Sequence, residues 1–219
     1  MSTAVIIGGG EFPKKAYPRE LIRLADLIVC CDGNALAAFL RNRKGIFGDD
    51  RRLPDVVIGD MDSLPPKLAD EYSSLLVRMD GQDDNDQTKA VGYVIRKHPK
   101  VDTIHILAAT GKREDHTLGN LGLLMEYART FPDSPSIDMV SDYGTAFALT
   151  GSCDLYLGSG RRFSLFSPDN SLKIRSRGLV WPTDSVVFNN WWPATLNRTC
   201  EDVVSLEFSH KSIALVIVD

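Results

Sequence analysis

The sequence predicts an α/β fold in two parts: an open, parallel-sheet, Rossmann-like domain followed by a small all-β sandwich. Up to about Asp142, short β-branched runs alternate with longer amphipathic ones, the pattern of a parallel sheet with helices on its faces. After Gly144 the helical pattern stops, and short strand-like runs recur between Gly, Asn, Asp and Pro. The expected domains are therefore residues 1–143 and 144–219, each large enough to bury a core.

In the first domain the expected strands are Ala4–Ile7, Leu27–Cys31, Val56–Ile58, Leu75–Arg78, Thr103–Ala108 and Ile137–Val140. Between them the helical stretches are Pro18–Asp26, Asn34–Arg41, Pro65–Tyr72, Asp86–Lys97 and His116–Arg129. The last carries Leu118, Leu121, Leu124, Met125 and Ala128 at helical spacing. In the second domain the expected strands are Asp154–Leu157, Arg162–Ser167, Leu172–Arg175, Ser185–Phe188, Val203–Phe208 and Ile213–Val218.

Composition narrows the function classes. A chain that is 43% hydrophobic and 25% charged is neither disordered nor fibrous. Its longest apolar runs fall far short of the roughly 18 residues of a membrane span. Met1-Ser2-Thr3 opens into a strand-like run with no basic region or cleavage site, so the expectation is a cytoplasmic protein that does not engage membranes. Cys30, Cys31, Cys153 and Cys200 lack metal-ligand spacing and read as reduced thiols. A net charge of −4 argues against a nucleic-acid partner, because phosphate backbones select for surplus Lys and Arg. Residues 144–219 hold seven acids and seven bases, so the whole acidic surplus lies in the first domain.

That surplus gathers where an open α/β sheet binds ligands, beyond the carboxyl ends of its strands. Asp32-Gly33 follows the second strand, and Gly59-Asp60-Met61-Asp62-Ser63 the third. Asp83 to Lys89 follows the fourth, and Thr110 to His116 the fifth. A lone Asp at such a place is usually a cap or turn residue. Four acidic strand ends on one rim would repel one another unless a cation sat among them, and oxygen-only ligands suit Mg²⁺. Gly8, Gly9 and Gly10 would let backbone N–H groups approach a phosphate, and Lys112 and Arg113 stand where phosphate contacts are made, at the entrance to a helix. Pro13 occupies the position that would complete a dinucleotide fingerprint, and there is no P-loop, nucleophile elbow or histidine pair at helical spacing.

Taken together, Asp32-Gly33, Gly59-Asp60-x-Asp62-Ser63, Gln82-Asp83-x-x-Asp86-x-Thr88-Lys89 and Gly111-x-Arg113-x-Asp115-His116-x-Leu118-x-Asn120 resemble the thiamine pyrophosphokinase family, whose domain order is also α/β then all-β. The resemblance implies transfer of a pyrophosphoryl group from ATP, the co-substrate, to the hydroxyl of thiamine, with release of AMP. It implies Mg²⁺ or Mn²⁺ held by Asp60, Asp62, Asp83 and Asp86, and a catalytic set of Asp60, Asp62, Asp86, Arg113 and Asp115, the last two lining the same cleft. Binding of nucleotide and acceptor would fall to Gly9, Gly10, Asp32, Gly33, Ser63, Gln82, Thr88, Lys89, Gly111, Lys112, His116 and Asn120, with Trp191, Trp192 and Asn197 from the second domain. It further implies a homodimer whose thiamine cleft lies between one subunit's α/β domain and its partner's β domain.

The second domain departs from the family pattern. Gly178-Leu179-Val180-Trp181-Pro182 is present, but a Ser-Asn-Glu element reads Leu196-Asn197-Arg198. Trp181, Trp191 and Trp192 could stack on a cationic ring, yet a small β domain needs an aromatic core, which favours core for any one of them. Two other readings stay open: a pyrophosphokinase for another hydroxymethyl heterocycle such as a pterin, and a non-catalytic nucleotide- or thiamine-binding sensor.

Overall fold

The computed structural model describes every residue except Ser63, Asp80, Gln82 and Asp83, so the roles expected of Ser63, Gln82 and Asp83 lie outside the described residues. Two compact units result: Met1–Leu123 with Asp133–Asp142, and Leu124–Pro132 with Tyr143–Asp219.

The first unit runs β1 (Thr3–Ile7), α1 (Ala16–Leu24), β2 (Leu27–Cys31), α2 (Asp32–Asn42), α3 (Lys44–Phe47), β3 (Val56–Gly59), α4 (Pro66–Glu71), a 3₁₀ turn at Ser73–Leu75 and β4 (Leu76–Arg78). It continues through α5 (Asp86–Lys97), β5 (Thr103–Leu107), α6 (Glu114–Thr130) and β6 (Ser136–Ser141). The last turns of α6, from Leu124, group with the second unit. The six strands pair in the order β6-β5-β1-β2-β3-β4, every pair parallel.

Both faces of this sheet are covered, which explains why its central strands are almost wholly apolar. Val5, Ile7, Ile28, Cys30 and Val57 share one core with Ala35, Leu36 and Phe39 of α2. The intervening Ala4, Ile6, Val29 and Ile58 point to the opposite face and are also fully buried. There α5 packs on β1, β2 and β3 through Ala90, Val91 and Val94. Helix α5 starts at an Asn85 cap, whose side chain accepts the Thr88 N–H, and ends with Arg96 and Lys97 against its dipole.

The second unit adds β7 (Gly144–Leu149), β8 (Cys153–Tyr156), β9 (Arg162–Phe166), β10 (Ile174–Arg177), β11 (Asn197–Arg198), β12 (Val203–Phe208) and β13 (Ala214–Val218). Antiparallel pairs join β11-β9-β13-β7 and, separately, β10-β12-β8. Phe163, Leu165 and Val216 from the first set meet Ile174, Val204 and Leu206 from the second in one core, which makes the unit a sandwich.

Three expectations for this unit need correction. Ser185–Phe188 is not a strand. It is a loop bent back by a Val186 N–H to Thr183 O bond, and it buries Phe188 in the core without pairing. The strand expected at Leu172–Arg175 lies two residues later, with Ile174 and Ser176 inward and Arg175 and Arg177 outward. The tryptophans are not core: Trp181, Trp191 and Trp192 are 60%, 53% and 71% exposed, and Trp191 rests its ring on Phe166 at 5.8 Å. Leu172, Phe163, Phe188 and Phe208 fill the interior in their place.

Candidate active site

In an open parallel sheet the crevice opens where strand order reverses, because successive connections leave in opposite directions there. In the first unit that point lies between β1 and β5, and a cleft of about 340 Å³ is found beyond it. Its walls are Gly8, Gly9 and Gly10 after β1, Cys31 at the end of β2 with Asp32 and Asn34 beyond it, and Asn85, Asp86 and Gln87 at the start of α5. The remaining wall runs from Ala109 after β5 to Asn120 on α6.

Backbone strain marks the same rim. Outside glycine, positive φ occurs in this unit at Asp32 (68°), Met61 (66°) and Ala108 (53°), each just past the end of β2, β3 or β5. Such conformations cost about 1–3 kcal/mol each and persist where surrounding structure enforces them. The turn at Met61 brings the Asp62 N–H onto Asp60 Oδ1 at 3.1 Å, and the turn at Ala108 brings its carbonyl onto the Gly10 N–H at 2.5 Å.

The glycine turn works differently from the expectation that it offers N–H groups to a phosphate. The Gly8 N–H donates to Leu107 O at 2.8 Å, and Gly10 is likewise engaged, so two of the three N–H groups bind the β5 loop. What glycine supplies is closeness: a Cβ on Gly10 would lie 2.6 Å from Ala108 O, whereas one on Gly9 would meet nothing within 4 Å. Lys112 closes the arrangement by donating from Nζ to Gly9 O at 2.8 Å, which leaves two of its three donors for a ligand.

Opposite stand the carboxylates. Gly59 lets Asp32 and Asp86 approach: its missing Cβ would touch Asp32 Cα and Asp86 Cγ, both at 3.4 Å. Burial pushes the Asp86 carboxyl above the ordinary range, and neighbouring Asp32 and Asp60 push it further, while Lys89 pulls it back. Lys89 is almost fully buried, with Nζ 3.3 Å from Asp86 Oδ1, so it serves as an internal counter-ion. Cys31 also lines the cleft, its Sγ 3.6 Å from the Asp86 carbonyl. Burial, then Asp86 and Asp32, drive its thiol far above the usual range, which makes it a poor nucleophile.

Not every expected residue lines the cleft. Arg113 does, but Asp115 does not. Asp115 pairs with the Arg113 guanidinium through Nε at 3.0 Å and Nη2 at 2.5 Å. That pairing, followed by the His116 N–H, holds its carboxyl at about 2. Asp60 and Asp62 stand outside the lining, and Asp62 is exposed. Gly33 is buried against Leu64, a packing role, and Gly111 turns with φ 90° beside Glu11. His116 and Asn120 line the cleft; Thr88 gives its N–H to the α5 cap.

Asn85, Gln87 and Thr110 lie in the rim segments expected from the sequence but had no individual role there, and Cys31, Asn34, Ala109 and Thr117 line the cleft without having been assigned to it. Asn85 alone carried a signal, as an Asn directly before a helical run.

In the second unit Asn197 is buried and its amide is spent on the backbone. Its Oδ1 accepts the Trp181 N–H at 3.2 Å and its Nδ2 donates to Trp181 O at 2.6 Å. A pocket of about 310 Å³ opens beside it, lined in part by Trp181, Pro193 and Leu196.

Residues 18–133, more than half of the chain, match the family model described as thiamin pyrophosphokinase, catalytic domain. The chain belongs to the thiamin pyrophosphokinase family. Among relatives, thiamine pyrophosphokinase 1 of Oryza sativa subsp. japonica is 33% identical over 139 residues, 57% of this chain and 52% of that protein. Thiamine pyrophosphokinase 1 of Arabidopsis thaliana is 34% identical over 120 residues, 48% of this chain and 45% of that protein. The chain thus spans about half the length of the curated relatives it matches.

The fold of the family covers the whole chain. Thiamine pyrophosphokinase from Bacillus subtilis superposes with a TM-score of 0.76 at 19% identity, over 100% of this chain and 99% of that one. The yeast thiamin pyrophosphokinase gives 0.76 at 17%, over 100% and 86%. The family match takes in the Asp32, Asp60, Asp86 and Arg113 segments that form and flank the cleft. Among the described residues no helix is long and apolar enough to cross a membrane, and all four cysteines are free thiols.

Proposed function

We propose that this chain is a thiamine pyrophosphokinase, a cytoplasmic transferase that moves a pyrophosphoryl group from ATP to the hydroxyl of thiamine. The observation that carries the reading is the cleft at the strand-order reversal, with Lys112 and Arg113 on one side and Asp32 and Asp86 on the other. The acceptor oxygen bonds to the β-phosphorus, the bond from that phosphorus to the α,β-bridging oxygen breaks, AMP departs, and the hydroxyl proton passes to solvent or a carboxylate. Such transfer is mostly positioning and charge neutralisation, which suits two cations facing a glycine turn. Residues 1–143 would bind nucleotide and metal, and residues 144–219 thiamine and the partner subunit.

The donor chemistry fits Mg²⁺. Asp86, Asp60 and Asp32 are hard oxygen donors whose mutual repulsion a divalent cation would relieve. Among the described residues no three acidic, histidine or cysteine side chains are grouped to hold a metal alone. Mg²⁺ needs none, since it is commonly held by one or two carboxylates together with substrate phosphates. Asp86 and Asp60 would hold it, and when bound it would draw charge from the phosphate oxygens. Excess chelator should abolish turnover, with recovery on adding Mg²⁺ or Mn²⁺; full activity in chelator would remove the metal from this reading.

Incubation with ATP, Mg²⁺ and a panel of hydroxylated heterocycles tests the reaction itself. Thiamine should yield AMP and thiamine diphosphate. ADP in place of AMP would point to an ordinary kinase, and AMP with a pterin alone to a different acceptor.

Thiamine carries a fixed positive charge, for which the exposed Trp181, Trp191 and Trp192 offer aromatic surface. Their exposure also supports the homodimer with shared active sites, since a monomer rarely leaves three tryptophans in water. An Asp60→Asn protein mixed with a Trp191→Ala/Trp192→Ala protein should regain part of the lost activity through one intact site per heterodimer. A fully active monomer by light scattering at assay concentration would rule the dimer out.

A further inference from the structure

The two sides of the cleft come from segments that no strand ladder joins directly. Asp86 opens α5, which follows β4, whereas Lys112 and Arg113 follow β5, and β1, β2 and β3 lie between those strands in the sheet. A side-chain relay connects them. Asn85 Oδ1 accepts the Thr88 N–H at 2.9 Å, and Asn85 Nδ2 donates to Asn120 Oδ1 at 3.4 Å. Asn120 Nδ2 in turn donates to Ala109 O at 2.8 Å. From Ala109 the loop continues to Thr110, whose carbonyl accepts the Glu11 N–H at 2.7 Å, and to Lys112 on Gly9 O.

Only a primary amide can play the part of Asn85. Its oxygen must accept from a backbone N–H, and its nitrogen must donate to the next amide. Aspartate caps a helix but has no donor, and serine caps as well but is too short to reach α6. At 3.4 Å the Asn85–Asn120 link is the longest of the relay and the one most readily broken by substitution.

We infer that Asn85 is a positioning residue, which through Asn120 fixes the carboxylate side of the cleft relative to the loop that carries Lys112 and Arg113. The inference rests on the proposed pyrophosphoryl transfer, in which both sides act on one phosphate chain. Loss of the relay should misplace one side against the other and so lower kcat more than it raises the KM for ATP.

The test is Asn85→Ser, with Asn85→Thr as the second variant should the first fold poorly. Backbone amide exchange at residues 110–113 should become about tenfold faster or more while Thr88 stays protected, because the cap survives. In the AMP assay kcat should fall about tenfold or more with the KM for ATP within about twofold. Combined with Asn120→Ser, the double variant should be no worse than Asn120→Ser alone. Unchanged exchange at 110–113 makes Asn85 a helix cap only and overturns the inference. So do additive losses, or faster exchange with unchanged kcat. A wild-type protein that makes no AMP from ATP and thiamine would sink the proposed reaction instead, and the exchange measurement would still decide whether the relay exists.

Discussion

Asp86→Asn is expected to lower turnover by about 10²- to 10³-fold while leaving the protein at least as stable as wild type at neutral pH. The carboxyl of Asp86 sits above its ordinary value of 3.8, first because it is partly buried, with Asp32 and Asp60 adding to the shift against the pull of Lys89. An acid raised in this way is one the folded state prefers protonated. Below 3.8 both folded and unfolded chains carry the proton, and the group is neutral to stability. As pH rises through the folded pKa, the folded chain must release a proton it holds more tightly than the unfolded chain does, and stability is lost. Asparagine imitates the protonated side chain at every pH. Thermal unfolding without divalent cation should therefore show no advantage for Asp86→Asn near pH 3 and an advantage at pH 7. Asp60→Asn should follow in kinetic effect, since Asp60 acts on Asp86, and exposed Asp62 should matter least. Wild-type rates in Asp86→Asn, or a stability gain confined to acid, would show that Asp86 is not the strained centre of this site.

The first unit was legible because its strands are buried on both faces and punctuated by Asp and Gly. Runs such as Leu27–Cys31 and Asp86–Lys97 match the observed β2 and α5 at both ends. The sandwich was harder to read. Gly144–Leu149 forms a strand through its ladder with β13, although Gly and two Ala weaken its β character. Val186 and Phe188 read as a strand because they are apolar, but their burial comes from a loop folded onto the core. At the site, of the acidic strand ends expected on the rim, Asp32 and Asp86 line the cleft, while Asp60 and Asp62 stand outside its lining. What spacing cannot show is how partners divide: that Arg113 takes Asp115, that Lys89 takes Asp86, and that Asn197 is consumed by the Trp181 backbone. The first two are local pairs, two and three residues apart, and the third spans 16 residues; in each the choice of partner changes the role that the residue can play.

The three consecutive glycines should separate in a graded way under substitution by alanine. A new Cβ at Gly10 would fall inside contact with Thr110 O and lie 2.6 Å from Ala108 O and 2.8 Å from Thr110 N, all backbone atoms of the β5 loop that cannot swing aside. At Gly8 the nearest atom is Ala108 O at 2.8 Å, and at Gly9 the space is open. Overpacking against backbone should cost Gly10→Ala about 3 kcal/mol. For a chain of this size that corresponds to a fall of roughly 6–12 °C in the unfolding midpoint. Gly8→Ala should fall between the other two, and Gly9→Ala should melt within about 1 °C of wild type, as exposed substitutions usually do. Activity should not follow the same order. Gly10→Ala pushes the Ala108 turn, the Gly9 carbonyl and hence Lys112 out of place, so turnover falls with stability. Gly9→Ala adds a methyl in open space beside a residue that lines the cleft, so it should raise the KM for ATP with the fold intact. Equal melting points for Gly9→Ala and Gly10→Ala would mean that the glycine turn is not packed on the β5 loop as described, and with it the placement of Lys112 over the cleft would fall.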